Sequence, residues 1–412
     1  MASSARRAAV SPPRLFNTVR FGSRATLHRN LPGALFPERL PPEEMRRLRD
    51  KVCDAVMAAP SVPGRKAEVL RLGEPGFETA VARMAGRGEL TRAFAAHAPG
   101  AAIIHAGDGT SIIINDEDHL VVSCQGDGTL TDQAKRAGAM ARALEKRLPF
   151  ATHSSYGYLS ANPDNLGTGL RLYCTFSFFG LFLNKELDAV LRGIERLGLN
   201  VYPLYLLSEK EDNPLEAPGC CYVVASTQTM GPEADIVEGM EHVCEELEIA
   251  ETNARLRLVD ARMPMLVDFL TRSVAVGSTA VQMTESEGLD IAHAILMGID
   301  FGLLELSGDD QTMALNAPTL MTHAALSEIV PPEPDAKPAG KAAPVQPMLI
   351  PDVGDGDGGE DGEDEDADAA AEFAGLRNSR AFLMRQLAIK LLPQCLEKLG
   401  YKAVVKEIRS RR

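Results

Sequence analysis

Three short stretches of this chain carry residue types that could do chemistry. Asn115-Asp116-Glu117-Asp118-His119 puts three carboxylates and an imidazole into five residues, while Gly22-Ser23-Arg24 and Gly167-Thr168-Gly169-Leu170-Arg171 each present an arginine beside small residues. Arginine is always charged, and its planar fork matches phosphate or carboxylate oxygens, so Arg24 and Arg171 are candidate anion ligands. Glu117 is the type of group that grips a cation, and His119 the type that moves a proton near neutral pH. Each stretch also has a plainer reading: a solvated acidic turn, a histidine that holds that turn by hydrogen bonds, and arginines in ordinary salt bridges. Asn165, Gly167 and Gly169 read as shapers of the loop that brings Arg171 forward. The seven cysteines (53, 124, 174, 220, 221, 244 and 395) show no Cys-x-x-Cys spacing. They read as reduced thiols, no metal site is expected, and Cys220-Cys221, adjacent in a strand, reads as inert.

The elements that must position these groups follow from pattern. Pro41-Pro42-Glu43-Glu44 is a Pro-led helix start, and Met45 to Met57 has apolar residues at helical spacing, so 34–96 reads as short helices. Ser111 to Ile114 and Leu120 to Cys124 flank the acidic turn and predict a hairpin or a pair of sheet strands. Thr131-Asp132 opens a helix to about Leu148. Gly169 to Phe178 is β-rich, 184–197 helical, 200–207 and 220–225 strands, and 232–302 mainly helical with a long amphipathic helix over 235–259. The expected division is a flexible N-terminus (1–21), a small helical domain (22–96), an α/β domain (97–330), a linker (331–373) and a C-terminal helical segment (374–412) in which Leu376 to Leu399 reads as a helix pair. The fold class is α+β, an antiparallel or mixed sheet flanked by helices beside a small all-α N-terminal domain.

Formal net charge is −14. Eleven acids between Asp352 and Glu372 lie in one tract without a base, so the remainder is near neutral and argues for neither a nucleic-acid nor a membrane partner. That tract, with its Pro, Ala and Gly, cannot bury enough apolar area to order itself and is expected to be a disordered linker. No apolar stretch approaches the roughly 20 residues of a membrane span. Met1 to Arg24 has the Arg, Ser and Ala bias of an organellar transit peptide, but its end overlaps the Arg24 motif, and a cytoplasmic location is expected.

Four collinear segments resemble the ATP:guanido phosphotransferase (phosphagen kinase) family, with most similarity to its bacterial protein arginine kinases. Gly22-Ser23-Arg24-Ala25-Thr26-Leu27-His28-Arg29-Asn30-Leu31-Pro32 is similar to the family's S-S-R-x-R-x-x-R-N-L, and Asn115 to Leu120 to its N-E-E-D-H-[LI]-R. Gly157 to Arg171 is similar to G-Y-L-T-x-C-P-T-N-x-G-T-G-L-R, and Met297 to Leu304 to a segment of the arginine kinases. The resemblance implies a nucleotide cleft, with ATP and Mg²⁺ held by a cage of arginines and the substrate guanidinium held by carboxylates. Carried over by position, Arg24, Arg171, Asn165 and Gly167 would bind nucleotide, and Glu117 and His119 would be catalytic.

The chain also departs from the pattern. Thr26, Val121 and Tyr202 stand where cage arginines are expected, Leu207 where a second carboxylate is, and Asn162 where a reactive cysteine is. Of the family's R-D-x-x-R-A phosphoarginine motif, Leu376 to Ala381 keeps only Arg380-Ala381. Losing one preorganised charge-stabilising donor lowers a rate on the order of 10²- to 10³-fold. The resemblance therefore implies a pseudokinase or weak kinase with a regulatory role in protein quality control, acting with a protein substrate, a protein partner, a second copy or an active homologue. One alternative is an active kinase in which Arg20, Arg92 or Lys210 completes the cage. Another is an interaction scaffold that binds no nucleotide.

Overall fold

Apolar and polar residues alternate through RFGSRATLHR, and Arg20–Arg29 is a β-strand, β1, near the middle of an eight-stranded sheet. A computed structural model describes residues 16–59, 67–205, 207, 217–323, 325–326 and 363–397. After β1 come α1 (Pro42–Met57), β2 (Glu68–Leu70), α2 (Phe77–Gly86) and α3 (Arg92–His97), then β3 (Ala102–Gly107), β4 (Thr110–Ile114) and β5 (Leu120–Gly126). Next are α4 (Leu130–Glu145), the two-residue strands β6 (Thr152–His153) and β7 (Gly157–Tyr158), β8 (Leu170–Ser177), α5 (Phe179–Leu183), α6 (Leu187–Arg196), β9 (Asn200–Pro203) and β10 (Cys221–Ala225). Helices α7 (Glu233–Ala261), α8 (Met263–Thr279), α9 (Glu285–Asp300), α10 (Asp309–Met321) and α11 (Glu363–Glu397) complete it.

The sheet order is β2-β3-β4-β5-β1-β8-β10-β9, and its ladders are antiparallel, as the α+β reading expects. One face carries Ala25, Leu27, Ile104, Ile112, Val122, Leu172 and Val224 into the main core, with side chains from α1, α4 and α7. On the other face, Ile103, Ile113 and Val121 meet Phe77, Met84 and Phe94 from α2 and α3. The β2–β5 half is thus covered on both sides. The β1–β8 half keeps a polar face, because the period-two alternation that buries Ala25 and Leu27 turns Arg24, Thr26 and His28 the other way.

Residues 22–96 were expected to be all helical. They contribute two strands to this sheet, and α1 shares the main core instead of building one of its own. The predicted hairpin is β4–β5, with Asn115 at φ 58° in its turn. Helix α4 starts under a Thr129–Asp132 capping box, the reciprocal bonding that satisfies the free amides of a first turn. Of the expected linker, 331–362 lies outside the described residues, as do 1–15; from Glu363 the chain belongs to α11. To Glu397, where the described residues end, that helix is continuous, whereas a pair was expected over Leu376 to Leu399. Met384, Leu387, Ala388, Leu391 and Cys395 form a stripe in a second core with α8, α9 and α10, and it runs past Pro393.

Candidate functional site

Register places the candidate cations together. Thr26 of β1 lies directly across from Arg171 of β8 and Ser123 of β5, while Arg24 lies across from Tyr173 and Gln125. The Arg24 guanidinium carbon sits 4.0 Å from the Tyr173 ring centre, a cation–π contact. Among the described residues its Nη2 reaches only the Gly88 carbonyl, at 3.5 Å. Arg171 is half-buried, and among the described residues its guanidinium makes no hydrogen bond or ion pair. Two cations without a carboxylate partner among the described residues therefore share one sheet face. Tyr202 of β9 lies in their field: burial pushes its phenol up to about 12, although Arg24 and Arg171 pull the other way.

The acidic turn is divided by burial. Asp116 accepts from the Thr91 amide at 3.1 Å and from the Thr91 hydroxyl, and burial raises its pKa. Asp118 is fully buried and accepts from Asn30 Nδ2 (2.6 Å), Ser160 Oγ (2.8 Å), the Ala161 amide (2.8 Å) and His28 Nδ1 (3.1 Å). Burial alone would raise its pKa, but the His28 hydrogen bond, with the other donors, holds it below the usual carboxylate range. Asn30 also accepts from the His119 amide and donates to Leu159 O. The Arg29-Asn30 pair thus buttresses the turn, with Arg29 stacked 3.6 Å from the Tyr158 ring centre.

Glu117 is half-buried, and Asn162 Nδ2 donates to it at 3.4 Å. Of the two residues expected to be catalytic, it alone is placed to meet a ligand. His119 is fully buried; its Nδ1 accepts from the Leu31 amide at 3.0 Å and its Nε2 donates to Leu35 O at 2.7 Å. Burial lowers its pKa, so it is a neutral brace of the turn with no nitrogen left for proton transfer. Asn165 is buried and lies 3.4 Å from His28 Nδ1. Gly167 (φ 97°) and Gly169 (φ 64°) shape the Arg171 loop: a Cβ on Gly167 would meet Thr229 O at 2.7 Å, and one on Gly169 would meet His28 O at 2.7 Å.

Sequence reasoning missed His28. It sits on the Arg24 face with Nδ1 on Asp118 and Nε2 3.3 Å from Thr26 Oγ1. The 24-26-28 spacing in an alternating strand was the available signal. Of the suggested substitute cations, Arg20 is buried and paired with Glu241 (2.6 Å) and Glu248 (3.7 Å), which removes it from the cage. The Arg92 side chain and Lys210 lie outside the described residues. Leu207 packs against the second core. Arg380 is fully buried, and its fork donates to Met321 O (2.8 Å) and Met283 O (3.4 Å), so it ties the end of α10 to the connection between α8 and α9. A cleft of about 350 Å³ opens beside Gly167 and Thr168, between Tyr156 and Met230, but no cation lines it. Among the described residues no helix is long and apolar enough to cross a membrane.

Residues 67–254, which include Glu117 and Arg171 but not Arg24, match the family model of the ATP:guanido phosphotransferase C-terminal catalytic domain. The protein-arginine kinase of Clostridium novyi (strain NT) is 30% identical over 285 residues, 68% of this chain and 80% of that one. That of Shouchella clausii (strain KSM-K16) is 28% identical over 322 residues, 76% of this chain and 88% of that one. Among solved structures, the duplicated taurocyamine kinase from Schistosoma mansoni with bound transition state analog components aligns at a TM-score of 0.49 and 20% identity, over 66% of this chain and 40% of that one. The identity to the Clostridium novyi kinase, sustained over four fifths of its length and joined to the family-model match, establishes that this chain belongs to the ATP:guanido phosphotransferase family.

Proposed function

We propose that this chain is a protein arginine kinase-like homologue that binds nucleotide weakly through Arg24 and Arg171, transfers phosphate to arginine poorly or not at all, and acts as a cytoplasmic regulatory partner in protein quality control. The carrying observation is the pair Arg24 and Arg171 on one face without a carboxylate partner among the described residues, beside the neutral Thr26, Val121 and Tyr202. Two guanidinium forks fit the oxygens of a polyphosphate. Magnesium would ride on phosphate oxygens and water, which is its usual mode beside nucleotides. The guanidinium side is depleted as well: Glu117 stands alone, and Leu207 is used in packing.

Calorimetric titration with Mg-ADP tests the binding half. Arg171→Ala removes a charge-assisted contact of roughly 1.5–3 kcal/mol, so affinity is expected to fall about tenfold or more. Radiolabelled ATP with arginine-rich protein tests the other half: transfer no higher than that of Glu117→Ala is expected. Acid-labile label on substrate arginine, lost in both variants, would overturn the reading.

A further inference from the structure

We propose that Thr26, His28 and Asp118 form a hydroxyl–imidazole–carboxylate relay whose Thr26 hydroxyl accepts the terminal phosphoryl group of a nucleotide held at Arg171, so that this chain phosphorylates itself at Thr26. The inference rests on the nucleotide-binding reading above.

Hydrogen-bond roles set the direction of the relay. Asp118 already accepts from Asn30, Ser160 and the Ala161 amide, and an ionised carboxylate can only accept. The 3.1 Å contact to the carboxylate therefore puts the proton of His28 on Nδ1, in preference to the longer 3.4 Å approach of Asn165 Nδ2, which would need a lone pair on that nitrogen. Nε2 is left with its lone pair, 3.3 Å from Thr26 Oγ1, and the hydroxyl donates into it. A hydroxyl bonded to a base that a third group orients is the geometry of an activated nucleophile. Arg171 lies directly across from Thr26 on the neighbouring strand, and Arg24 lies two residues along the same face. The relay is recessed: Thr26 is 3% exposed and the His28 side chain 12%. Such a recess suits a phosphoryl terminus and limits competition from bulk water.

The step balances without an oxidant or reductant. Thr26 Oγ1 forms a bond to the terminal phosphorus, and the bond from that phosphorus to the bridging oxygen of ADP breaks. The hydroxyl proton moves to His28 Nε2, and ADP leaves with the bridging electron pair. Thr26 and His28 are catalytic residues in this step, whereas Asp118 is a positioning residue that fixes the imidazole tautomer.

Two measurements on the full chain test the relay. In nucleotide-free protein, the ring ¹⁵N shifts of His28 should report the Nδ1-protonated tautomer, and Asp118→Asn should lose that preference. After incubation with Mg-[γ-³²P]ATP, acid-stable label should map by mass spectrometry to Thr26. It should vanish in Thr26→Val and form about 10²-fold or more slowly in His28→Gln, with both variants keeping the wild-type amide spectrum. An Nε2-protonated His28, label on His28 itself, or no label in protein that still binds Mg-ADP would overturn the relay and leave the binding reading intact. Absence of Mg-ADP binding would overturn both.

Discussion

Asp118→Ala is the perturbation that most directly probes how this site is held. The wild-type carboxylate receives four donors at 2.6–3.1 Å, from Asn30, Ser160, the Ala161 amide and His28. Asn30 and Ser160 are 2% and 9% exposed, so their donors have little water to turn to. A hydrogen bond to a charged group contributes roughly 1.5–3 kcal/mol, and four summed would overstate the loss because the vacated space admits some water. The range for removing one partner of a buried charged pair, about 3–5 kcal/mol, is the better expectation. With a urea m-value of about 3 kcal/mol/M, the unfolding midpoint followed by circular dichroism should fall by about 1–1.7 M. The pH dependence has a definite sign. The folded pKa of Asp118 is depressed, so its contribution is complete above the unfolded carboxylate value of about 3.9 and is lost as pH falls through the lower folded value. The gap between wild type and variant should be level from about pH 5 to 8 and close only below about pH 4. A midpoint within about 0.3 M of wild type, or a gap already closed at pH 5, would refute the anchoring argument.

Two further variants test the frame around the site. Arg255 and Glu251 are both fully buried and 2.7 Å apart, and Glu251 also caps the amides of Gly180 and Leu181; Arg255→Met should lower stability by about 3–5 kcal/mol, with part of the loss recovered on adding Glu251→Gln, as read by thermal melts. Gly169→Ala would combine a left-handed backbone with a Cβ 2.7 Å from both Arg29 Nη1 and His28 O; it should cost roughly 2 kcal/mol or more in chemical denaturation and weaken Mg-ADP binding, because Arg171 follows two residues later.

The parts of the fold that sequence discloses are those set by local pattern. The β4–β5 hairpin alternates on both sides of a polar turn, and α4 was legible as a helix, although its cap is Thr129, three residues before Asp132, and not the expected Thr131-Asp132 start. The central place of β1 is set instead by pairing with strands about 90 and 150 residues away, and no window of sequence contains those partners. The same distance hid His28, whose role depends on Asp118 in a turn 90 positions on. Within the site, charge type and motif position singled out Arg24, Arg171 and Glu117, and the structure sets the two arginines on one sheet face with Glu117 half-buried in the acidic turn. The bracing role of His119 was one of its two sequence readings, but the groups it braces were not legible, because the Leu31 amide and Leu35 carbonyl are backbone groups that carry no residue signature.

The three positions where the resemblance implies cage arginines are not equivalent, and the difference leads to a last prediction. Val121 lies on the functional face but inside the apolar cluster of Phe77, Phe94 and Ile113, so an arginine there would have to displace a core. Thr26 is tied to His28. Tyr202 is half-buried and already stands in the field of Arg24 and Arg171, which makes Tyr202→Arg the restoration that the fold can accept. Without ligand, the new guanidinium joins two cations that lack carboxylate partners among the described residues. Unit charges about 6 Å apart repel by roughly 0.7–3 kcal/mol between the dielectric limits of water and a protein surface. The ligand-free variant should therefore melt several degrees below wild type. A polyphosphate reverses the sign, because each of the three cations then faces an anion instead of only one another. The melting temperature should rise more with saturating Mg-ADP in the variant than in wild type, since stabilisation grows with the logarithm of ligand concentration over Kd. Thermal scans with and without Mg-ADP decide the matter. Equal shifts in the two proteins would place Tyr202 off the phosphate face and remove it from the reckoning of lost cage residues.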